Sequence, residues 1–208
     1  MSSRFAVLTG DIVNSTEKLG NRLVDVQKSI SNMPIEFNKY FTGSIHEKVS
    51  IHRGDGWQIL VLKPKYSIRF ALYLKSRLKS EYDIETRISI GVGEITINNN
   101  DNVSASSGEA YQFSGHGLDT MKKDRYLGYT ARSEKHLYEI LFLDCLMQKH
   151  TQMQAKSFSF ALLGLKQAEI TKELSGQSTK QKSQQSVSKL LDKCNWQEIQ
   201  EYLLIIEK

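Results

Sequence analysis

Apolar positions recur along this chain in two alternating rhythms. Residues 4–10, Arg-Phe-Ala-Val-Leu-Thr-Gly, read as a buried strand. From 15 to about 41 the spacing changes to three and four, with Leu19, Leu23, Val26 and Ile30 on one face, which predicts helix. Asn14 or Ser15 suits its N-cap, and Pro34 is expected to divide the stretch into two helices. Residues 49–52 and 57–62 flank Arg53-Gly54-Asp55-Gly56 and read as a β-hairpin. Residues 67–79 return to the helical spacing through Ile68, Leu72, Leu74 and Leu78. Residues 86–91 alternate as a strand, and 94–97 continue it beyond Gly91-Val92-Gly93, which reads as a bulge. A polar loop over 98–107, a helix over 109–123, a strand over 125–131 and an apolar helix over 134–153 follow.

The order β-α-β-β-α-β is that of the ferredoxin-like split βαβ arrangement, an antiparallel sheet with both helices on one face. The fold class expected is therefore α+β, with a palm-type domain over 1–155. Beyond it the composition turns rich in glutamine, lysine and serine, so 156–208 is expected to form a small helical domain.

In such a sheet the end of the first strand lies beside the hairpin, so Asp11 and Asp55 converge. Two carboxylates on neighbouring strands suit divalent cations, Mg²⁺ or Mn²⁺, that hold a nucleoside triphosphate. Ile12, Val13, Asn14, Ser15 and Thr16 offer backbone groups at a helix start, where phosphate is favoured. Arg53, beside the hairpin, and Gln112 complete the nucleotide-binding candidates. The alternative for each aspartate is an ordinary turn or cap.

In the C-terminal region, 165–174 reads as the first helix of a helix-turn-helix, with Ala168 as the small packing residue and Ile170 and Leu174 in the core. Residues 185–194 would be the recognition helix, burying Val187, Leu190 and Leu191. Gln184, Gln185, Ser186 and Ser188 can read base edges, while Lys189 and Lys193 can contact phosphates of double-stranded DNA. The segment 175–183 is longer than the usual turn, and residues 157–208 carry seven Lys/Arg against six Asp/Glu. A helical bundle packed on the main domain or on a second subunit is the competing reading.

The charged fraction of 25% and the net charge of +5 are those of a globular protein, compatible with an anionic partner. No apolar run approaches the roughly 20 residues that span a bilayer. The N-terminus runs straight into strand-like sequence without a signal peptide, so a cytoplasmic protein is expected. The two cysteines, Cys145 and Cys194, show no disulfide pattern, and Cys145 on its apolar helix is expected to be buried.

The ordered set Gly10-Asp11-Ile12-Val13, Gly54-Asp55-Gly56-Trp57-Gln58-Ile59-Leu60, Ile90-Gly91-Val92-Gly93-Glu94-Ile95 and Gly108-Glu109-Ala110-Tyr111 resembles the SatD family, whose first domain is similar to the catalytic domain of class III nucleotidyl cyclases. The family pattern closes with a helix-turn-helix segment resembling 184–191 followed by Asn195-Trp196. The resemblance implies that Asp11 and Asp55 are metal ligands and that Ile12 lends its carbonyl. It also implies a homodimer, since cyclase sites are completed at a dimer interface. The base-recognising lysine position of cyclases falls on Ile51, and the transition-state asparagine and arginine fall on Asp119 and Lys123. Lys123 is thus the catalytic candidate, but it lacks the bidentate fork of arginine. The arginines that SatD-like proteins place on this helix fall on Phe113 and Gly115. The function implied is a regulatory protein that binds a nucleotide with Mg²⁺ at a degenerate cyclase-like site and couples it to a DNA-binding or protein-docking C-terminal domain. The alternatives are a divergent cyclase or phosphoryl-transfer enzyme, and a DNA-binding protein whose first domain only dimerises.

Overall fold

A computed structural model describes residues 4–52, 54–96, 107–132, 136–176 and 183–208. Strand β1 (Arg4–Ile12) occupies the centre of a five-stranded sheet. The hairpin of β2 (Ser50–His52) and β3 (Gly56–Val61) lies on one side of it, and β4 (Thr86–Glu94) and β5 (Leu127–Ala131) on the other, in the order β2-β3-β1-β4-β5. Among the first four strands each neighbouring pair is antiparallel, in the ferredoxin-like order, and β5 is added parallel to β4. The molecule is α+β, as its alternating pattern predicts.

Period-two alternation divides β1 between two layers. Ala6, Leu8 and Ile12 enter the large core beneath α2 (Leu23–Asn38) and α3 (Ser67–Tyr82). Val7 faces the opposite side, where it meets Leu60 and Ala110 of α4 (Glu109–Asp119). Gly91 and Gly93 belong to this second face. The register from Arg4↔Glu94 to Ile12↔Thr86 runs without a slip, so β4 carries no bulge there. A Cβ on Gly91 would lie 2.3 Å from the Ala110 carbonyl and 2.4 Å from the Ser114 amide. Gly91 is explained by the α4 backbone resting on the strand, and at Gly93 a Cβ would meet the Glu109 side chain at 2.6 Å.

The first helical stretch breaks at a different point from the one expected. Pro34 lies buried inside α2 and does not end it. The break falls between α1 (Ser15–Leu19) and α2, where a 3₁₀ turn begins at Gly20 with φ of +47°. Glycine adopts that conformation cheaply, whereas Pro34 forgoes one helix hydrogen bond within a well-packed core.

The apolar stretch 134–153 is likewise two helices, α5 (Leu137–Met147) and α6 (Gln152–Leu162). Thr151 and Gln154 form a reciprocal capping box that starts α6. The boundary expected at 155 therefore falls inside a helix. Beyond it come α7 (Gln167–Gly176), α8 (Gln184–Asp192) and α9 (Trp196–Ile206). Phe158, Leu162, Cys194, Ile199 and Leu203 share one core cluster with the sheet's helical face. Arg69 on α3 fixes the far end, donating to both carboxylate oxygens of Glu207 at 2.6 and 2.9 Å and to the Leu162 carbonyl at 3.2 Å.

Cys194 is buried, which pushes its thiol up to about 12. Cys145 is exposed, contrary to expectation. Helix α5 carries apolar residues on all sides and buries Ile140, Leu143 and Met147 together with Asp144, which leaves Tyr138, Phe142 and Cys145 outside. Among the described residues no helix is long and apolar enough to cross a membrane.

Candidate functional site

The last residues of β1 carry the site. Gly10 is pinned because a Cβ there would lie 2.2 Å from the buried Trp57 indole and 2.6 Å from the Arg87 carbonyl. With Gly10 held in this way, Asp11 projects from the α4 face of the sheet, in register with Arg87 on β4. Arg87 grips it through both carboxylate oxygens, Nε to Oδ1 at 2.9 Å and Nη2 to Oδ2. Donating to Asp11 raises the guanidinium pKa further, with electrostatic help from Asp11, Asp55 and Asp119. All three carboxylates therefore bear on one cation.

Asp55 reaches this position from the hairpin turn, where Gly54 has φ of +83°. The turn is tied at two points, to the start of α1 and to α2. Ser15 Oγ donates to Asp55 Oδ2 at 2.5 Å, and Gln27 Nε2 donates to the Gly54 carbonyl. Thr86 Oγ1 donates to the Asp11 carbonyl at 2.5 Å, and the Val13 amide donates to the Glu85 carbonyl at 2.9 Å.

The other face of the same strand end is buried. Lys75 Nζ, on α3, donates to the Thr86 carbonyl at 3.0 Å, lies 3.6 Å from Glu85 and sits 5.2 Å from the Tyr126 ring centroid. Burial lowers its pKa, opposed by Glu85 and Asp144. Asp144 of α5 is wholly buried. Its Oδ2 accepts from the Tyr126 amide at 3.0 Å, while its Oδ1 has no hydrogen-bond partner among the described residues.

The sequence candidates are distributed unevenly around this centre. Ile12 is buried, Val13 and Ser15 are half-buried, and Asn14 and Thr16 are exposed. Asn14 precedes α1 in a left-handed conformation and makes no side-chain cap. With only five residues, α1 is too short for the phosphate-binding helix end that was expected. Gln112 is exposed on the half of α4 that rests over Gly91 and Gly93, four residues along β4 from Arg87. Lys123 lies past the end of α4 in an exposed turn, so it does not stand one helical turn after Asp119 as the cyclase comparison required. Arg53 lies outside the described residues. Arg87 was missed, although the expected pairing of the first and last strands would have set it against Asp11.

In the C-terminal region, α8 buries Val187 and Leu191 and leaves Leu190 half-buried. Gln184, Gln185, Ser186, Lys189 and Lys193 are exposed and Ser188 is half-buried. Ser186 is engaged locally, its amide donating to the Ser183 N-cap oxygen at 3.2 Å. Lys193 is the C-cap. Ala168 is exposed and plays no part in helix packing, and residues 177–182 of the expected turn lie outside the described residues.

Mg²⁺ is commonly held by one or two carboxylates completed by substrate phosphates and water. Asp11 and Asp55 fit that incomplete donor set. A self-sufficient metal site is a poorer fit. Among the described residues no three His, Cys, Asp or Glu side chains gather closely enough to hold a metal ion, and both Asp11 oxygens are engaged by Arg87.

No family model matches this chain, and no curated protein sequence matches it. Solved structures with similar folds include the guanylyl cyclase Cya2, at 14% identity and a TM-score of 0.45 over 62% of this chain and 77% of that one. A bacterial light-regulated adenylyl cyclase aligns over the same shares at 17% identity and a TM-score of 0.45.

Proposed function

We propose that this protein binds a nucleoside triphosphate together with Mg²⁺ or Mn²⁺ between Asp11 and Asp55, and that it is a nucleotide-responsive regulator in which cyclisation is weak or lost. The observation that carries the reading is the docking of the Asp55 turn against the β1–α1 connection through Ser15, on the sheet end that also presents Asp11. Two carboxylates can share a cation that the nucleotide brings with it. Catalysis needs more, namely donors aimed at the charge that develops in the transition state. The residue at the end of α4 is instead a carboxylate, Asp119, and Lys123 lies beyond the helix. The regulatory part of the reading rests on α3, which contacts both the sheet and α6, so that the C-terminal helices share a core with the nucleotide-binding domain.

Isothermal titration with ATP, GTP, CTP and UTP in Mg²⁺ tests this function. One of them is expected to bind, with affinity falling by about tenfold or more in Asp55→Asn, the loss of one charge-assisted contact. Silence toward all four, or unchanged binding to the Asp11→Asn/Asp55→Asn double variant, overturns it. Turnover of a labelled nucleotide that is lost in Asp55→Ala would promote the enzymatic alternative. A second reading, DNA binding through α8, is supported by the exposed Gln184, Gln185 and Lys189 above the buried Val187 and Leu191. It requires salt-dependent binding to duplex DNA that weakens in Lys189→Gln.

A further inference from the structure

Arg87 poses a problem for a metal-binding Asp11. Its fork engages both carboxylate oxygens and sets a positive charge against the face of the carboxylate that a cation would take. The guanidinium cannot vacate the position by losing a proton, because arginine stays charged and its three acidic neighbours raise its pKa further. It can leave only by moving. Expelled by a bare divalent ion, it would remain a positive charge beside two more, with only Asp55 and Asp119 as compensation. Expelled by a metal–triphosphate complex, it finds phosphate oxygens at the same place, and a guanidinium binds phosphate in the same bidentate way as carboxylate. Exposure allows the movement, since the Arg87 side chain is 33% accessible. Arg69, which grips Glu207 in the same manner, is 5% accessible and locked.

We propose that Arg87 is an internal stand-in for the cation: it closes Asp11 to free divalent metal ions and yields only to a metal–triphosphate complex, whose phosphates take the guanidinium as the metal takes the carboxylate. The proposal rests on the nucleotide–metal reading of Asp11 and Asp55 and adds the selectivity of that site. Arg87 is on this view a specificity-determining residue, and metal and nucleotide bind with positive coupling.

The test is Mn²⁺ binding followed by electron paramagnetic resonance, without nucleotide, on the wild-type chain, Arg87→Gln, Arg87→Lys and Arg87→Gln/Asp11→Asn. Arg87→Gln is expected to bind free Mn²⁺ about tenfold or more tightly than wild type, the scale of one removed ion pair. The gain should vanish in the double variant. Arg87→Lys, which keeps the charge but loses the fork, should fall between wild type and Arg87→Gln. Triphosphate affinity in the presence of Mn²⁺ should move the other way and be weakest in Arg87→Gln. Equal free-Mn²⁺ affinity in wild type and Arg87→Gln overturns the role of Arg87 even where nucleotide binds normally. A wild type silent toward every nucleotide overturns the function proposed above, and with it the handover. If Arg87→Gln does not fold, Arg87→Lys against wild type carries the same decision: tighter Mn²⁺ binding supports the proposal and equal binding overturns it.

Discussion

Thr86 and Arg87 are consecutive residues at the start of β4, and the charges attached to them lie in opposite surroundings. Behind Thr86, Lys75 and Asp144 are 3% and 0% exposed. Beside Arg87, the partners are a quarter to a third accessible. The chemistry is the same in both places, a cation from one element meeting acceptors from another. Burial separates their roles. A buried charge cannot leave its partners without an uncompensated desolvation cost, so Lys75 fastens α3 to the strand end. A half-exposed pair exchanges partners at little cost, so Arg87 is available to a ligand.

The contrast can be broken at several points, the largest effect first. Lys75→Ala should lower unfolding free energy by about 3–5 kcal/mol, because it removes a buried cation that Glu85 meets at 3.6 Å and that offsets buried Asp144 through space. Lys75→Met, which keeps the volume but not the charge, also leaves Asp144 uncompensated and separates the packing share of that loss from the electrostatic one. Urea denaturation of the two variants checks this, and a Lys75→Ala change within about 1 kcal/mol would place Lys75 in the same class as an exposed pair. His150, 5% exposed and with no partner for Nδ1 among the described residues, tests the buried side by pH. Burial lowers its pKa from 6.5 to about 4. Between those values the unfolded chain binds the extra proton, so the His150 contribution is intact above about pH 6.5 and declines as pH falls toward 4, by roughly 3 kcal/mol in all. Thermal melts at descending pH should show a shallower loss in His150→Phe. The smallest effect is expected at the site itself. Asp11→Asn should cost about 1 kcal/mol or less, since the pair is partly screened by solvent. A fall comparable to that of Lys75→Ala would mean that Arg87 and Asp11 are structural.

The sheet was legible in the sequence because alternation and turn residues agree with its tertiary arrangement. Residues 4–10 and the Gly54-Asp55-Gly56 hairpin read correctly for that reason, and strand order alone then brought Asp55 toward Asp11. The glycines of β4 were misread because their cause lies outside the strand, in the backbone of α4 over Gly91 and the Glu109 side chain over Gly93. The split at Thr151 carried a local signal, a threonine followed three residues later by glutamine, hidden inside an apolar run. Arg87 was overlooked for a different reason. Acids beside turn residues announce a cation site, while the residue that occupies Asp11 is a base on a strand distant in sequence. Lys75 and Asp144 gave no signal at all, since a lysine within a helical pattern reads as a solvated face until α5 and α6 close over it.

That closure has a consequence for how the chain is made. Arg69 and Glu207 are 138 residues apart, and the faces of α3 that α6 covers wait for a segment synthesised long after α3 itself. At the ribosome's roughly 5–20 residues per second, the strands and α3 emerge seconds before their lid. Throughout that interval a half-made molecule presents the surface of α3 around Arg69 to solvent or to a chaperone, and loop-closure entropy delays the final step further. Premature termination anywhere before α6 would yield a sticky intermediate in place of a smaller working domain.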